Sequence, residues 1–155
     1  MLQKVTRKKI AAQGGRFVIV ASTYNARFVD PMVRAAQSAI RRAGGRAEII
    51  RVPGAYEIPV VAARLAHQAA PARPAAVICL GVILRGATTH AQHIGEAVSY
   101  ALAQIQIQHE VPVIHEVLLL ENEQQARERC LSRTHNRGTE AAQTALEMAR
   151  VMRAL

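Results

Sequence analysis

The sequence predicts a single-domain α/β protein with three layers, α/β/α, around a central four-stranded parallel sheet. A chain of 155 residues has the length of one domain. Half of its residues are hydrophobic and a fifth are charged, a balance that excludes an intrinsically disordered protein. Short apolar runs alternate with segments of helical periodicity, which predicts right-handed strand–helix–strand crossovers and helices on both faces of the sheet.

The first strand, the first helix and the second strand each have a clear pattern and a clear end. Residues 16–22 (RFVIVAS) are an apolar run of strand length. Residues 29–43 have the spacing of an amphipathic helix, which ends at Gly44-Gly45 because glycine favours helix C-termini. Residues 46–52 (RAEIIRV) predict the second strand, and Pro53-Gly54 breaks it.

The middle of the chain predicts a helix, a buried strand and another helix. Residues 57–68 predict a helix with Pro59 in its first turn, where proline is tolerated. Residues 75–82 (AAVICLGV) are a continuous apolar run, as expected for a strand that is covered on both faces. A further helix starts near Thr89, since apolar residues then recur with helical spacing: Ile94, Ala97, Val98, Ala101, Leu102 and Ile105.

The C-terminal part of the chain predicts one more strand and two more helices. Residues 111–120 (VPVIHEVLLL) have the apolar character of a fourth strand. Asn122 is placed to cap the next helix, with Gln125 three residues further on. The final amphipathic helix is indicated by the spacing of Ala141, Ala145, Met148, Ala149 and Met152.

The chain is basic, with a formal net charge of +9, and its first acidic residue is Asp30. Residues 1–15 are therefore interpreted as a basic N-terminal arm, followed by the domain in residues 16–155. Such an arm fits nucleic acid or another acidic surface, and it also fits a solvated tail. The solvated tail is favoured, and nucleic-acid binding is not expected, because the arm lacks interleaved aromatic residues for base stacking.

The sequence predicts a cytoplasmic protein. Its apolar runs are all shorter than the roughly 18 residues of a membrane-spanning helix. The basic N-terminus is not followed by the apolar core of a signal peptide. Cys79 and Cys130 lie within predicted secondary structure without metal-ligand spacing, so buried, reduced thiols are expected.

Aromatic and polar residues follow the first two predicted strands. In a parallel sheet covered on both faces, ligands bind beyond the carboxyl ends of the strands. Tyr24 and Asn25 follow the first strand, and Tyr56 and Glu57 follow the second. Two of the three tyrosines thus fall at these ends, which favours stacking on a flat heterocycle. The alternative for Tyr56 and Glu57 is an ordinary tight turn and helix start.

The third strand end reads GVILRGATTH (residues 81–90), with small residues directly before a helix. Backbone N–H groups of residues 86–89 can approach a ligand closely, and a helix N-terminus attracts anions, so this loop predicts a phosphate site. Helix capping by Thr88 or Thr89 is the alternative. Histidine side chains in general suit proton transfer near neutral pH, which makes His90 a candidate for that role, although a lone histidine is commonly structural. A metal is not expected, because no histidine pair shows ligand spacing with a carboxylate.

Three segments together resemble the lumazine synthase family (6,7-dimethyl-8-ribityllumazine synthase). They are VPGAYEIP (residues 52–59), RGATTH (residues 85–90) and Arg129 with Asn136-Arg137-Gly138. The resemblance extends from about residue 16 to residue 152, in matching order and spacing. It implies a flavodoxin-like fold and a transferase of riboflavin biosynthesis. The implied reaction condenses 5-amino-6-(D-ribitylamino)uracil with 3,4-dihydroxy-2-butanone 4-phosphate, releases phosphate and water, and needs no cofactor.

The resemblance also implies roles for individual residues. His90 matches the proton-transfer histidine, and Arg129 matches the arginine that holds the butanone phosphate. The phosphate site would also include Arg85, Gly86, Ala87 and Thr88. The pyrimidine ring and its ribityl chain would be bound by Tyr24, Asn25, Ala55, Tyr56, Glu57, Val82, Ile83, Leu84 and His115.

The sequence departs from the family pattern at several positions. His115 stands where the family often has phenylalanine, a residue that contacts the pyrimidine from the adjacent subunit. The family assembles as pentamers, as decamers or as icosahedral shells. Leu131 and His135 replace glycines that are common in shell-forming members, which favours a pentamer or decamer. Arg133 and Arg137 replace frequent lysines. The polar arm is expected to stay outside its own core and to extend a neighbour's sheet.

Two other functions remain open at this point. A non-catalytic relative would bind a lumazine or a flavin without making it, and a nucleic-acid-binding module would account for the net positive charge. Intact His90 and Arg129 favour the enzyme over the first of these alternatives.

Overall fold

Four parallel strands form one sheet in the computed structural model, which describes residues 9–155. The strands are β1 (Arg16–Ser22), β2 (Arg46–Val52), β3 (Ala76–Leu84) and β4 (Val113–Leu120). Their spatial order is β2-β1-β3-β4, which matches the first four strands of the flavodoxin-like doubly wound order. The order reverses between β1 and β3, and this switch point is where such sheets bind ligands.

Five helices within these residues cover the two faces of the sheet: α1 (Ala26–Arg42), α2 (Ile58–Ala66), α3 (His90–His109), α4 (Glu123–Cys130) and α5 (Arg137–Ala154). Helices α1, α4 and α5 pack on one face, and α2 and α3 pack on the other. The predicted single-domain, three-layer α/β/α architecture is therefore confirmed.

The central strands are buried on both sides, which explains their continuous apolar sequence. In β1, Phe17 and Ile19 point towards α1, whereas Val18 and Val20 point towards α2 and α3. All four side chains are fully buried. Strand β2 is more exposed because it lies at an edge, where it pairs only with β1 among the described residues.

The strand boundaries agree with the sequence for β1 and β2 and differ for β3 and β4. Strand β3 begins one residue later than predicted and continues two residues further, because Val82, Ile83 and Leu84 pair in register with β4. Ile83 and Leu84 thus belong to the sheet rather than to the loop that follows it. Strand β4 begins at Val113, two residues later than predicted, because Pro112 has no N–H group to donate to the ladder.

Two helices begin at positions that the periodicity did not predict. Helix α1 starts at Ala26, three residues early, because Asn25 turns the chain directly out of β1. Helix α2 spans Ile58–Ala66 only, since the preceding residues Ala55–Glu57 form a separate 3₁₀ turn. Pro59 lies in the first turn of α2, as predicted.

The later helices follow the predicted pattern with two exceptions. Asn122 caps α4, and its side chain accepts a hydrogen bond from the Gln125 N–H group at 3.0 Å. Two of the apolar residues whose spacing indicated these helices are exposed: Ala97 of α3 and Met152 in the last turn of α5.

The end of the N-terminal arm packs on the domain. Ala12 is 1% exposed, joins the core on the α1 face, and donates its N–H group to the Ala43 carbonyl oxygen at 2.9 Å. The expectation that residues 1–15 stay outside the core is therefore wrong for Ala12. Residues 1–8 of the predicted arm lie outside the described residues, and the boundary at residue 15 stays a prediction.

Both cysteines are buried, as predicted, and neither is in a disulfide. Burial raises the pKa of the Cys79 thiol far above its ordinary value and raises that of Cys130 to about 11, so both thiols are protonated at neutral pH. Among residues 9–155, no helix combines the length and the apolar character needed to cross a membrane.

Candidate active site

Asn25 links the two strands at the switch point of the sheet. Its backbone is left-handed, with φ 58° and ψ 34°, a conformation that asparagine tolerates better than most residues. Its side-chain Nδ2 donates a hydrogen bond to the Val82 carbonyl oxygen of β3 at 2.7 Å. Asn25 therefore fixes the ends of β1 and β3 against each other, which positions the residues on either side of it.

Tyr24 and Tyr56 present their side chains to solvent at neighbouring strand ends. Tyr24 is 73% exposed, and its backbone N–H group donates to the Pro53 carbonyl oxygen at 3.0 Å. This bond joins the segment after β1 to the segment after β2. Tyr56 is 64% exposed and lies in the 3₁₀ turn that follows β2. The structure thus places two open aromatic rings on adjacent segments at the same edge of the sheet.

Glu57 has a structural partner in the turn after β2. Its Oε2 accepts a hydrogen bond from the Gly54 N–H group at 2.9 Å, which closes the turn. The backbone of Gly54 is extended, with φ −133°. A Cβ at this position would lie 2.8 Å from Glu57 Oε2, so a larger residue would require the Glu57 side chain to shift. Ala55 is half-buried beside it.

The segment between β3 and α3 forms the exposed loop in which the sequence predicts a phosphate site. Arg85 pairs with Glu121 at 2.7 Å, and both side chains are largely exposed. A Cβ on Gly86 would enter open space within the described structure, so local packing does not require a glycine there. The hydroxyl of Thr88 accepts a long hydrogen bond from the His90 N–H group at 3.4 Å, and the N-cap residue Thr89 makes no side-chain cap. The loop therefore leaves room at the N-terminus of the 20-residue helix α3.

His90 is the first residue of α3 and is exposed, directly after this loop. In contrast, Val82 and Ile83 are 2% and 9% exposed, and Leu84 is half-buried. The side chains of Val82 and Ile83 therefore belong to the core. A ligand at this strand end can reach the two residues through the backbone, and the Val82 carbonyl oxygen is already bonded to Asn25.

His115 lies in the middle of β4, away from the strand ends. Its Nε2 is 2.7 Å from the Ser99 hydroxyl of α3, and its Nδ1 accepts a hydrogen bond from the Val117 N–H group at 3.1 Å. Partial burial lowers the pKa of His115. Sequence reasoning missed Ser99, because nothing in the helical pattern distinguishes it from the other polar residues of α3.

Arg129 lies on α4, which packs against α1, whereas His90 lies on α3, which packs against α2. The two residues therefore belong to helices on opposite faces of the sheet. Arg129 lines an open groove of about 690 Å³ together with His135, Arg137 and Glu140. The structure thus groups Tyr24, Tyr56 and the loop before His90 at one edge, and it places Arg129 in a separate basic groove.

A network of charged side chains supports this groove. Glu116 of β4 is only 8% exposed, and its Oε2 accepts from Arg137 Nε at 3.0 Å. Arg137 Nη1 also pairs with Glu140 at 2.6 Å. Burial raises the pKa of Glu116, and the neighbouring Arg137 opposes this effect. Sequence reasoning missed Glu116, although a single acid in an otherwise apolar strand is a signal that could have found it.

The Asn136-Arg137-Gly138 segment has a structural role at the start of α5. Asn136 is buried, donates from Nδ2 to the Cys130 carbonyl oxygen at 2.6 Å and accepts from the Gly138 N–H group at 2.8 Å. A Cβ on Gly138 would lie 2.6 Å from the carbonyl carbon of Met32 in α1. Only glycine fits this contact, so α5 can pack directly on the backbone of α1.

Among the described residues, no group of three or more histidine, cysteine or acidic side chains is arranged to hold a metal ion. The fold and this site define a doubly wound α/β protein with exposed aromatic residues and an open helix N-terminus at its switch point. Proteins of this class bind small, often phosphorylated, ligands at that edge of the sheet.

Comparisons with known proteins identify the family within this class. Residues 14–153 match the sequence model of 6,7-dimethyl-8-ribityllumazine synthase. The chain is 41% identical to the 6,7-dimethyl-8-ribityllumazine synthase of Aquifex aeolicus over 150 residues, which cover 95% of this chain and 96% of the relative. It is 38% identical to the synthase of Halorhodospira halophila over 99% of both chains, and 35% identical to that of Clostridium kluyveri over 98% and 99%. The chain belongs to the 6,7-dimethyl-8-ribityllumazine synthase family, and it is therefore a transferase of riboflavin biosynthesis.

Proposed function

We propose that this protein condenses 5-amino-6-(D-ribitylamino)uracil with 3,4-dihydroxy-2-butanone 4-phosphate to 6,7-dimethyl-8-ribityllumazine at a site shared between two subunits. The observation that carries this proposal is the family match over residues 14–153. In the reaction, the pyrimidine's primary amine attacks the ketone and forms an imine with loss of one water. Phosphate is then eliminated, and the ribityl-bearing nitrogen closes the ring on the remaining carbonyl with loss of a second water. Positioning of two substrates and proton transfer provide the catalysis.

The butanone phosphate is bound at the N-terminus of α3. The loop of Arg85, Gly86, Ala87 and Thr88 is exposed, and it precedes a helix whose dipole favours a phosphate. Arg129 supplies a guanidinium fork that suits two phosphate oxygens. His90, the first residue of α3, transfers a proton beside the leaving phosphate.

The pyrimidine lies across the strand ends that Asn25 holds together. The exposed rings of Tyr24 and Tyr56 are available to stack on it. The backbone of Val82, Ile83 and Leu84 contacts the edge of the uracil, since the side chains of Val82 and Ile83 are buried. Ala55 and Glu57 bind the ribityl chain from the turn after β2, and His115 contacts the ring from the adjacent subunit.

The proposal of a shared site rests on the separation of Arg129 from His90 within one chain. Arg129 and His90 lie on opposite faces of the sheet, so one chain's Arg129 serves the neighbouring chain's phosphate site. Large apolar side chains on α2 and α3 are exposed in the single chain, notably Val60 at 69%, Tyr100 at 70% and Ile107 at 71%. Exposed apolar surface of this kind favours a subunit interface.

The assembly is a homo-oligomer built on pentamers, either a single pentamer or a decamer. A ring requires a heterologous interface, in which one face of each subunit meets a different face of the next. The resemblance to the family assigns the N-terminal arm to the extension of a neighbour's sheet, whereas Ala12 of that arm packs on its own core and residues 1–8 lie outside the described residues. The buried, reduced thiols are consistent with a cytoplasmic enzyme.

A product assay tests the reaction. Purified protein is mixed with both substrates, and formation of the lumazine chromophore is followed by absorbance and confirmed by mass spectrometry, with each substrate omitted in turn. A well-folded sample without product contradicts the proposal. Flavin or lumazine binding without turnover would support the non-catalytic relative, and salt-sensitive binding of unrelated oligonucleotides would support the nucleic-acid module.

A subunit-mixing experiment tests the shared site. His90→Ala and Arg129→Ala variants are unfolded together, reassembled in equal amounts and assayed at low butanone phosphate, beside each variant reassembled alone. In a head-to-tail ring, about a quarter of the sites would combine an intact His90 with a neighbour's intact Arg129, and activity would recover to that extent. If each site lies within one chain, mixing restores nothing. Subunit exchange is verified independently by mass spectrometry of differently tagged chains.

A further inference from the structure

His115 is held by a chain of hydrogen bonds that leads into α3. The Val117 N–H group donates to Nδ1 at 3.1 Å, and Nε2 lies 2.7 Å from the Ser99 hydroxyl. The same hydroxyl donates to the Gly95 carbonyl oxygen, one helical turn earlier, at 2.7 Å. Both ring nitrogens therefore have a protein partner, even though residue 115 as a whole is exposed.

The direction of each bond in this chain follows from its partners. A backbone N–H group can only donate, so Nδ1 must carry a lone pair, and the proton of a neutral imidazole must lie on Nε2. A carbonyl oxygen can only accept, so the single hydroxyl hydrogen of Ser99 points to Gly95. Ser99 Oγ is thus an acceptor for the Nε2–H group of His115. One arrangement satisfies all three bonds, and it contains a neutral ring.

This arrangement decides what His115 can offer a ligand. A proton on Nδ1 would face the Val117 N–H group and break that bond, so the charged ring is disfavoured. With both nitrogens engaged, the ring is neither a free base nor a free acid. The exposed face of the ring is still available for contact with a ligand. A flat, neutral aromatic ring can stack on a heterocycle.

Open space lies next to Ser99. A groove of about 650 Å³ runs along α3 and β4 and is lined by Gln92, Gly95, Ser99 and Val117, with Arg85 and Glu96 as its charged residues. The groove gives another molecule access to the side of the sheet on which Ser99 holds His115.

We infer that Ser99 is a positioning residue that holds His115 as the neutral Nε2–H tautomer and presents its ring as a fixed stacking surface to the pyrimidine bound by the adjacent subunit. This inference rests on the proposed function, because it names a second residue behind the contact that His115 makes. Ser99 acts through His115 and does not itself touch the substrate.

The first test needs no substrate. In the assembled protein labelled with ¹⁵N-histidine, the His115 signals are assigned by their loss in His115→Phe. We expect nitrogen shifts of a single Nε2-protonated tautomer and an Nε2–H resonance that exchanges slowly with water. Ser99→Ala should lose that resonance, and Ser99→Thr, which keeps a hydroxyl, should restore it. Unchanged exchange in Ser99→Ala, or a ring protonated on Nδ1 in the wild type, would overturn the inference.

The second test is a double-mutant cycle on steady-state kinetics. Ser99→Ala should raise KM for the pyrimidine by roughly 2- to 10-fold, the effect of one hydrogen bond, with a smaller effect on KM for the butanone phosphate. In the His115→Phe background the same substitution should have no effect on either constant. An equal effect in both backgrounds shows a merely structural serine and contradicts the inference.

The two tests separate this inference from the proposed function. A wild-type protein that shows the slow Nε2–H resonance but makes no lumazine refutes the proposed function and, with it, the stacking role, while the hydrogen-bonded ring stands. A protein that makes lumazine but shows no effect of Ser99→Ala in either test refutes the inference alone.

Discussion

Replacing Gly138 by alanine should destabilise the protein strongly, because this glycine lies where α5 touches the backbone of α1. The added Cβ would lie 2.6 Å from the carbonyl carbon and 2.7 Å from the Cα of Met32, and closer still to the carbonyl oxygen. Ordinary van der Waals contact begins at 3.4 Å. Backbone atoms cannot move aside by changing a rotamer, as a side chain can. The two helices must therefore move apart by about 1 Å to accept one methyl group.

The size of the effect follows from what that movement would disturb. Ala141, Ala142 and Ala145 of α5 are fully buried and pack in the same core as Met32 and Ala36 of α1. Overpacking costs about 1–3 kcal/mol in typical cores, and a backbone contact should lie at the upper end, at about 3 kcal/mol. For a chain of this size such a loss lowers Tm by roughly 6–12 °C.

Thermal unfolding followed by circular dichroism measures this effect, with Gly95→Ala as the matched control. Gly95 is also helical, and its added Cβ would lie 3.4 Å from Leu119 Cδ2, an ordinary contact, so this variant should gain up to about 1 kcal/mol from helix propensity. Both variants are compared with the wild type at one protein concentration, since assembly contributes to Tm. Equal Tm values for the two variants would refute the packing argument.

Three further substitutions test the site. His90→Ala should lower kcat by up to ~10²-fold without changing the circular dichroism spectrum, because positioning of the substrates remains. Arg129→Ala should raise KM for the butanone phosphate by roughly 10- to 100-fold, the effect of a charged hydrogen bond, and leave KM for the pyrimidine nearly unchanged. Glu116→Gln should change the pH dependence of stability. Burial raises the pKa of Glu116, so the folded chain retains this proton above the ordinary carboxyl pKa. The wild type therefore loses stability from this group as pH rises, and the variant, which does not titrate, should gain relative to it as the pH rises above the ordinary carboxyl pKa.

Each of these variants has a control on the same element or a neighbouring one. His93→Ala removes an exposed histidine from the same helix and should keep wild-type kcat. Arg150→Ala removes an exposed arginine, paired with Glu147 at 3.8 Å, and should leave both KM values unchanged. Glu128→Gln neutralises an exposed acid near Arg129 and should leave the pH dependence of unfolding as in the wild type. Similar effects in variant and control would contradict the assigned roles.

Local sequence patterns predicted the elements well and their ends less well. The bounds of β1 and β2 were predicted correctly, since apolar runs and glycine or proline breaks are local signals. The extension of β3 to Leu84 depends on pairing with β4, more than thirty residues away. The local periodicity of the sequence carries no information about such distant pairing. Likewise, the early start of α1 depends on a left-handed Asn25. Its side chain is bonded to the distant Val82 carbonyl oxygen.

The candidate site divides in the same way. The strand-end rule placed Tyr24, Tyr56 and the loop before His90 at one edge of the sheet, because that rule needs only the order of the strands. The partners of His115 and Glu116 could not be predicted, since Ser99 and Arg137 meet them only when helices pack on the two faces of β4. The separation of Arg129 from His90 also follows from helix packing rather than from any local pattern.

His115 and Glu116 are consecutive residues, and the alternation of a strand sends their side chains to opposite faces of β4. One is anchored to α3 and the other to α5, so a single peptide unit joins the aromatic contact to the arginine-lined groove. In the proposed shared site, the two contributions of one subunit to its neighbour would therefore be joined through one peptide unit. An insertion or deletion in β4 would exchange the faces of both side chains at once, so this stretch should tolerate substitutions more readily than any change in length.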